Sequence, residues 1–202
     1  DGTSLKASSY SITSGSLVSG QIISVSSFSG SITHFKDNEQ VSTILDDAIK
    51  ISSSAGDVTK NYDISVATGT LRIYQRSIVL TPDVVTGIIY DGRTHTPTNF
   101  HISSGSLASG DVISGVNFSA DSTQINAGTY TTSIDSSSPI IIKNATGEVV
   151  YSYLDKDNAD YLISFTSSSL EIKKRPINTL TSSATKIYDG LPLSSPYIAI
   201  KP

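Results

Sequence analysis

The stretch "DKDNAD", residues 155–160, sets three carboxylates, Asp155, Asp157 and Asp160, beside Asn158 in one short segment. Calcium takes roughly six to eight oxygen ligands, and clustered Asp and Asn side chains are its usual source. The segment lacks the alternating spacing and trailing bidentate Glu of a calcium loop. A solvated insertion is therefore the plainer reading, with those three aspartates as the candidate metal ligands. Just ahead stand Tyr151 and Tyr153, and aromatic residues on loops are common anchors for a glycan or protein partner. Ser183 and Lys186 match the S-x-x-K of penicillin-recognising enzymes, but the companion S-D-N and K-T-G motifs are missing. A serine nucleophile needs an oriented base, and the chain offers His34, His95 and His101. None of the three recurs at the matching place of the internal repeat described next. The chain reads as non-catalytic, with no cofactor expected beyond calcium at residues 155–160.

The elements that must position these residues come in two copies. "SGSLVSGQIIS" from Ser14 returns as "SGSLASGDVIS" from Ser104, an offset of 104 − 14 = 90. "ISSSAGDV" from Ile51 matches "IKNATGEV" from Ile142 at offset 91, and "YDISVATGTLRIYQR" from Tyr62 matches "YLISFTSSSLEIKKR" from Tyr161 at offset 99. The growth from 91 to 99 places an insertion of 99 − 91 = 8 residues between Val149 and Tyr161, where the acids and tyrosines lie. Tyr-Asp-Gly occurs at Tyr90 and again at Tyr188, each time behind a similar lead-in, and the chain opens on Asp1-Gly2. These marks divide it into a first copy (1–76) lacking its opening strand, a complete second copy (77–175), and the opening strand of a third (176–202).

Within each copy the apolar period is two, which means strands. Tyr62, Ile64 and Val66 followed by Leu71 and Ile73 read as a hairpin around "ATGT", and Tyr161, Ile163 and Phe165 followed by Leu170 and Ile172 as its counterpart around "TSSS". Asn38 and Gly128 align, and both types tolerate φ > 0, so a tight turn is expected at each. The Tyr of Tyr-Asp-Gly is expected to bury its ring, with Asp-Gly making the turn. The windows from Val41 and Thr131 read as strand and loop, and a short helical turn fits "GSLASGD". The fold class is thus all-β, in tandem modules of about 95 residues.

Composition bounds the function. Ser and Thr fill roughly three positions in ten, above ordinary usage. A net charge of -4 offers no basic face for nucleic acid. Cysteine is absent, which removes disulfides and thiolate metal sites. No apolar run approaches the ~18–20 residues of a membrane span.

The ordered set "KIYDG", "SGSLASGDVIS", "NAGTY" and "AGDVTKNYDISVATGTLRI" resembles the YDG and MBG-type repeats of bacterial cell-surface adhesins. The resemblance covers nearly the whole chain, twice, and departs at "DNEQV", where the first copy lacks "NAGTY", and at the insertion. It implies an exported, extracellular, wall-attached protein whose tandem modules, immunoglobulin-like sandwiches or β-grasp-like units with one short helix, form a stalk. Its expected partners are neighbouring modules and a host glycan or protein, which residues 151–160 would contact if the module binds directly. The spare segment 176–202 is expected to pair with the exposed edge of the first copy in a neighbouring molecule, or to extend unpaired.

Overall fold

The structure, a computed structural model, describes residues 2–181, 183–193 and 198–200. Strands take up 37% of the chain and helical turns 9%, so the protein is all-β. The strands are β1 (Ile22–Val25), β2 (Gln40–Ser42), β3 (Ile49–Ser53), β4 (Gly56–Asp57), β5 (Gly69–Leu71), β6 (Arg76–Pro82), β7 (Val85–Ile89) and β8 (Phe100–Ser104). They continue as β9 (Val112–Ser114), β10 (Gly128–Thr132), β11 (Ile141–Lys143), β12 (Val149–Ser152), β13 (Tyr161–Phe165), β14 (Ser168–Lys173), β15 (Thr179–Thr181) and β16 (Ile198–Ile200). Helix among the described residues is confined to short 3-10 turns, and none is long and apolar enough to cross a membrane.

The duplicated sequence carries duplicated pairings. Ile23 faces Ile51 between β1 and β3, as Ile113 faces Ile142 between β9 and β11. Gln40 faces Leu71 between β2 and β5, as Tyr130 faces Leu170 between β10 and β14. Outside the strands, Phe28 bridges to Ile44 and Phe118 to Ile134. The hydroxyl of Tyr62 accepts the Val18 N–H and donates to the Gln21 side chain; that of Tyr161 accepts the Ala108 N–H at 2.8 Å and donates to Asp111 at 2.5 Å.

The second copy is built around β6. Its residues alternate, Ile78, Leu80 and Pro82 inward and Ser77, Val79 and Thr81 outward. It lies between β13, parallel, with Ile78 opposite Ile163, and β8, antiparallel, with Leu80 opposite Ile102. A separate sheet, β12-β11-β9, shares one apolar cluster with it: Ile78 and Leu80 meet Ile140, Ile142, Val150, Tyr151 and Tyr161. The lead-in's second strand, β7, runs parallel to β14.

Several local expectations are corrected. The segments around "TSSS" do not form a hairpin: β13 pairs with β6, whereas β14 pairs with β10 and β7. Tight hairpin turns need φ > 0, and among the described residues no non-glycine residue adopts it; Thr166 donates instead to Leu80 O, and the chain changes sheets. In the first copy Gly69 lies within β5, which pairs with β2, and residues 62–66 form no strand. Neither Asn38, at φ -68, nor Gly128 makes the expected turn. Gly128 opens β10, where a Cβ would sit 3.0 Å from the Tyr130 ring. "GSLASGD" is not helical; Gly105 and Gly110 sit at φ 76 and 86.

At Asp91-Gly92 the turn is as expected: the Asp91 carboxylate accepts the Arg93 N–H at 2.9 Å and Gly92 has φ 79. That bond, with His95 beside it, holds Asp91 below the usual carboxylate range. Asp189 repeats the bond to Leu191, and Gly190 has φ 76. Asp1 lies outside the described residues. The tyrosines, however, are not buried; Tyr90 is 38% and Tyr188 92% exposed, because each stands at the surface turn and not within a central strand.

Tyr161 makes the packing of this copy titratable. Burial first, then the neighbouring Asp111, pushes its phenol from the usual 10 up to about 12. The folded state then holds a proton that the unfolded chain loses, so the neutral phenol's contribution is complete below pH 10 and is lost as pH rises towards about 12. Urea unfolding should show wild type losing stability relative to Tyr161→Phe across that window. A difference that stays constant with pH there would refute the assignment.

Candidate functional site

The insertion forms a loop that closes on itself. β12 delivers Tyr151 into the core, where it is 5% exposed; burial, then the neighbouring Tyr153, raises its phenol pKa. Residues 153–158 follow as 3-10 turns broken at Asp155, and Asp160 returns to donate its N–H to Val150 O at 2.9 Å. Tyr153 is half-buried, with the Lys156 ammonium 5.9 Å from its ring centre, and Leu154 is exposed. Of the two tyrosines, Tyr153 is thus the one at the surface.

The three aspartates are used separately. Asp155 accepts the Asn158 amide at 2.8 Å, Asp157 is exposed, and Asp160 faces the first copy. Among the described residues no three His, Asp or Glu side chains gather as a metal-binding group.

Asp160 and His34 build the centre of the site. One carboxylate oxygen of Asp160 lies 2.6 Å from His34 Nδ1, and the other accepts the Phe35 N–H at 2.6 Å. His34 Nε2 lies 3.3 Å from Glu148, so the imidazole bridges two carboxylates of the second copy. A recess of about 80 Å³ beside them is lined by His34, Lys36, Tyr151, Asp155 and Asp160.

The connector between β5 and β6 is fastened from both sides. The Asn38 side chain donates to Ile73 O at 2.5 Å and accepts Ile73 N–H at 2.7 Å, while Arg72 pairs with Glu39. The Gln75 amide donates to Ala159 O at 2.9 Å, and the Arg76 N–H to Asp160 O at 2.8 Å. The chain therefore leaves the first copy already bonded to the insertion of the second.

His34 has no counterpart in the second copy, where Gln124 takes its place. The same fact was the available signal: a residue that contacts the adjoining copy need not recur in both, and Asp160 also falls in the unshared insertion. The other histidines each pair with a local carboxylate, His95 with Asp91 at 2.9 Å and His101 with Asp83 at 2.6 Å. Lys186 of the S-x-x-K match bonds Asp189 at 2.6 Å, so it belongs to the last Tyr-Asp-Gly turn. Compared with protein-family models, curated proteins and solved structures, the chain matches none of them.

Proposed function

We propose that this chain is a non-catalytic repeat region of a bacterial surface adhesin, in which successive β-sandwich modules act as a stalk that holds an adhesive part away from the cell wall. The observation that carries the proposal is the fastened connector: residues 72–75 are bonded to the first copy through Asn38 and to the second through Gln75, and Asp160 adds two bonds to His34 and Phe35. A spacer needs such joints, because neighbouring domains otherwise move freely about their linker. The resemblance to YDG and MBG-type repeats, and the Ser/Thr-rich surface, support the same reading.

The joint gives the test. Small-angle scattering of the wild type should fit one fixed arrangement of the two copies, and the double variant Asn38→Ala, Asp160→Ala should broaden it while far-UV circular dichroism is unchanged. A wild type already as flexible as the double variant would remove the basis for a stiff stalk.

A further inference from the structure

The second copy is entered and left along strands that run side by side in the same direction. Arg76 to Leu80 of β6 lie parallel to, and in register with, Tyr161 to Phe165 of β13. Both segments then change sheets together, and Val85 to Ile89 of β7 continue parallel to Leu170 to Lys173 of β14. Main-chain bonds close this seam at its start, its crossing and its end. Arg76 N–H donates to Asp160 O at 2.8 Å, Thr166 N–H to Leu80 O at 3.0 Å, and Tyr90 N–H to Lys173 O at 2.9 Å. The segment that brings the chain in, residues 76–90, is thereby fastened from end to end to the segment that takes it out, residues 160–173.

Strand direction decides how such a seam carries tension. A pull on the copy from both sides draws Arg76 one way and Lys173 the other, which slides two parallel strands past each other and loads every rung of the ladder at once. The same strands drawn apart from one end would give up their rungs one after another. Neither β6 nor β14 can peel from a sheet edge, because each is the middle strand of three, β6 between β13 and β8 and β14 between β10 and β7. Packing opposes sliding as well. A slip of one residue would turn Ile78 and Leu80, both fully buried, out of the core, so the shortest slip that keeps them inward is two residues, about 6.6 Å at ~3.3 Å per residue. On that path both side chains leave their places against Ile140, Ile142 and Tyr161 in the shared cluster.

We propose that the second copy is a load-bearing clamp: tension applied through its two ends is held in shear by the seams of β6 with β13 and of β7 with β14, and the copy resists until both give way together. The joint feeds this clamp directly, since the Gln75 amide donates to Ala159 O at 2.9 Å just before Arg76 opens the seam. The clamp itself follows from strand direction. That the chain meets tension in use rests on the stalk reading, and the two fail separately: a flexible joint in scattering would leave the clamp standing, and a weak clamp would leave a stiff joint.

The chain contains no cysteine, so introduced thiols can serve as handles for single-molecule force spectroscopy on the whole protein. Tyr74→Cys with Lys174→Cys pulls along the seam, and Tyr74→Cys with Asp157→Cys draws β6 and β13 apart from their N-terminal ends. All three side chains are exposed, so both variants keep the same core and the same equilibrium stability. Forced unfolding reads the barrier instead, and rupture along the seam should need about twofold or more the force of rupture across it. Along the seam it should be a single event that releases roughly 300 Å of chain, the 173 − 76 + 1 = 98 residues at ~3.3–3.6 Å each less the folded span. Equal forces in the two directions would overturn the proposal, as would opening along the seam in a series of small, low-force steps.

Discussion

Gly105→Ala should destabilise the second copy by about 3 kcal/mol or more, while Gly15→Ala costs about 1 kcal/mol. Both glycines sit at φ 76, a conformation in which a Cβ crowds its own backbone by roughly 1–2 kcal/mol, so that part is common to the pair. The rest is not. A methyl on Gly105 would lie 2.2 Å from Ser77 O and 3.2 Å from both the Cα and Cγ2 of Ile78, and these atoms belong to a central strand with neighbours on both sides. Relief requires β6 and β8 to part, at the point where Val79 stands opposite Ser104. Urea unfolding of the two single variants measures the contrast. A methyl on Gly15, the counterpart of Gly105 at offset 90, would meet nothing within 4 Å, so equal losses would mean that the second-copy contact is relieved by a small shift.

That contrast also marks how far the sequence could be read. The offsets of 90, 91 and 99 carried register: they place Ile113 against Ile142 wherever Ile23 meets Ile51, and Tyr161 against Asp111 wherever Tyr62 meets Gln21. Period-two alternation identified Tyr161–Phe165 and Ser168–Lys173 as strands, yet it holds no information about which strand is the neighbour. Adjacent strands pair when the turn between them permits, and "TSSS" contains no residue at φ > 0. The parallel partners, β6 and β7, come from about 85 residues upstream, a distance at which only tertiary packing chooses. The joint was illegible for a different reason. His34 and Asp160 are single-copy residues 126 positions apart, and neither type nor spacing links them before the connector brings the copies together.

Leu80→Ala should cost about 2–5 kcal/mol, a large share of the ~5–15 kcal/mol that holds an ordinary domain folded. Leu80 is fully buried, opposite Phe165 on one side and Ile102 on the other, in the cluster that joins β6 to β11 and β12. Truncation leaves a cavity that cannot collapse without moving a strand paired on both edges. Leu180, in the exposed lead-in and 77% accessible, is the control, and Leu180→Ala should change stability by less than about 0.5 kcal/mol. The order of loss is also set. The first copy pairs β1, β3 and β4, while residues 10–14 and 62–66, the counterparts of β8 and β13, form no strand. By the same logic, hydrogen exchange in Leu80→Ala should accelerate first at the β8 and β13 amides, which depend on β6 for partners, and later in β9, β11 and β12, whose ladder closes without it. Uniform acceleration across all five strands would mean that the second copy opens only as a whole, and that β6 is no more than one contributor to a single cooperative unit.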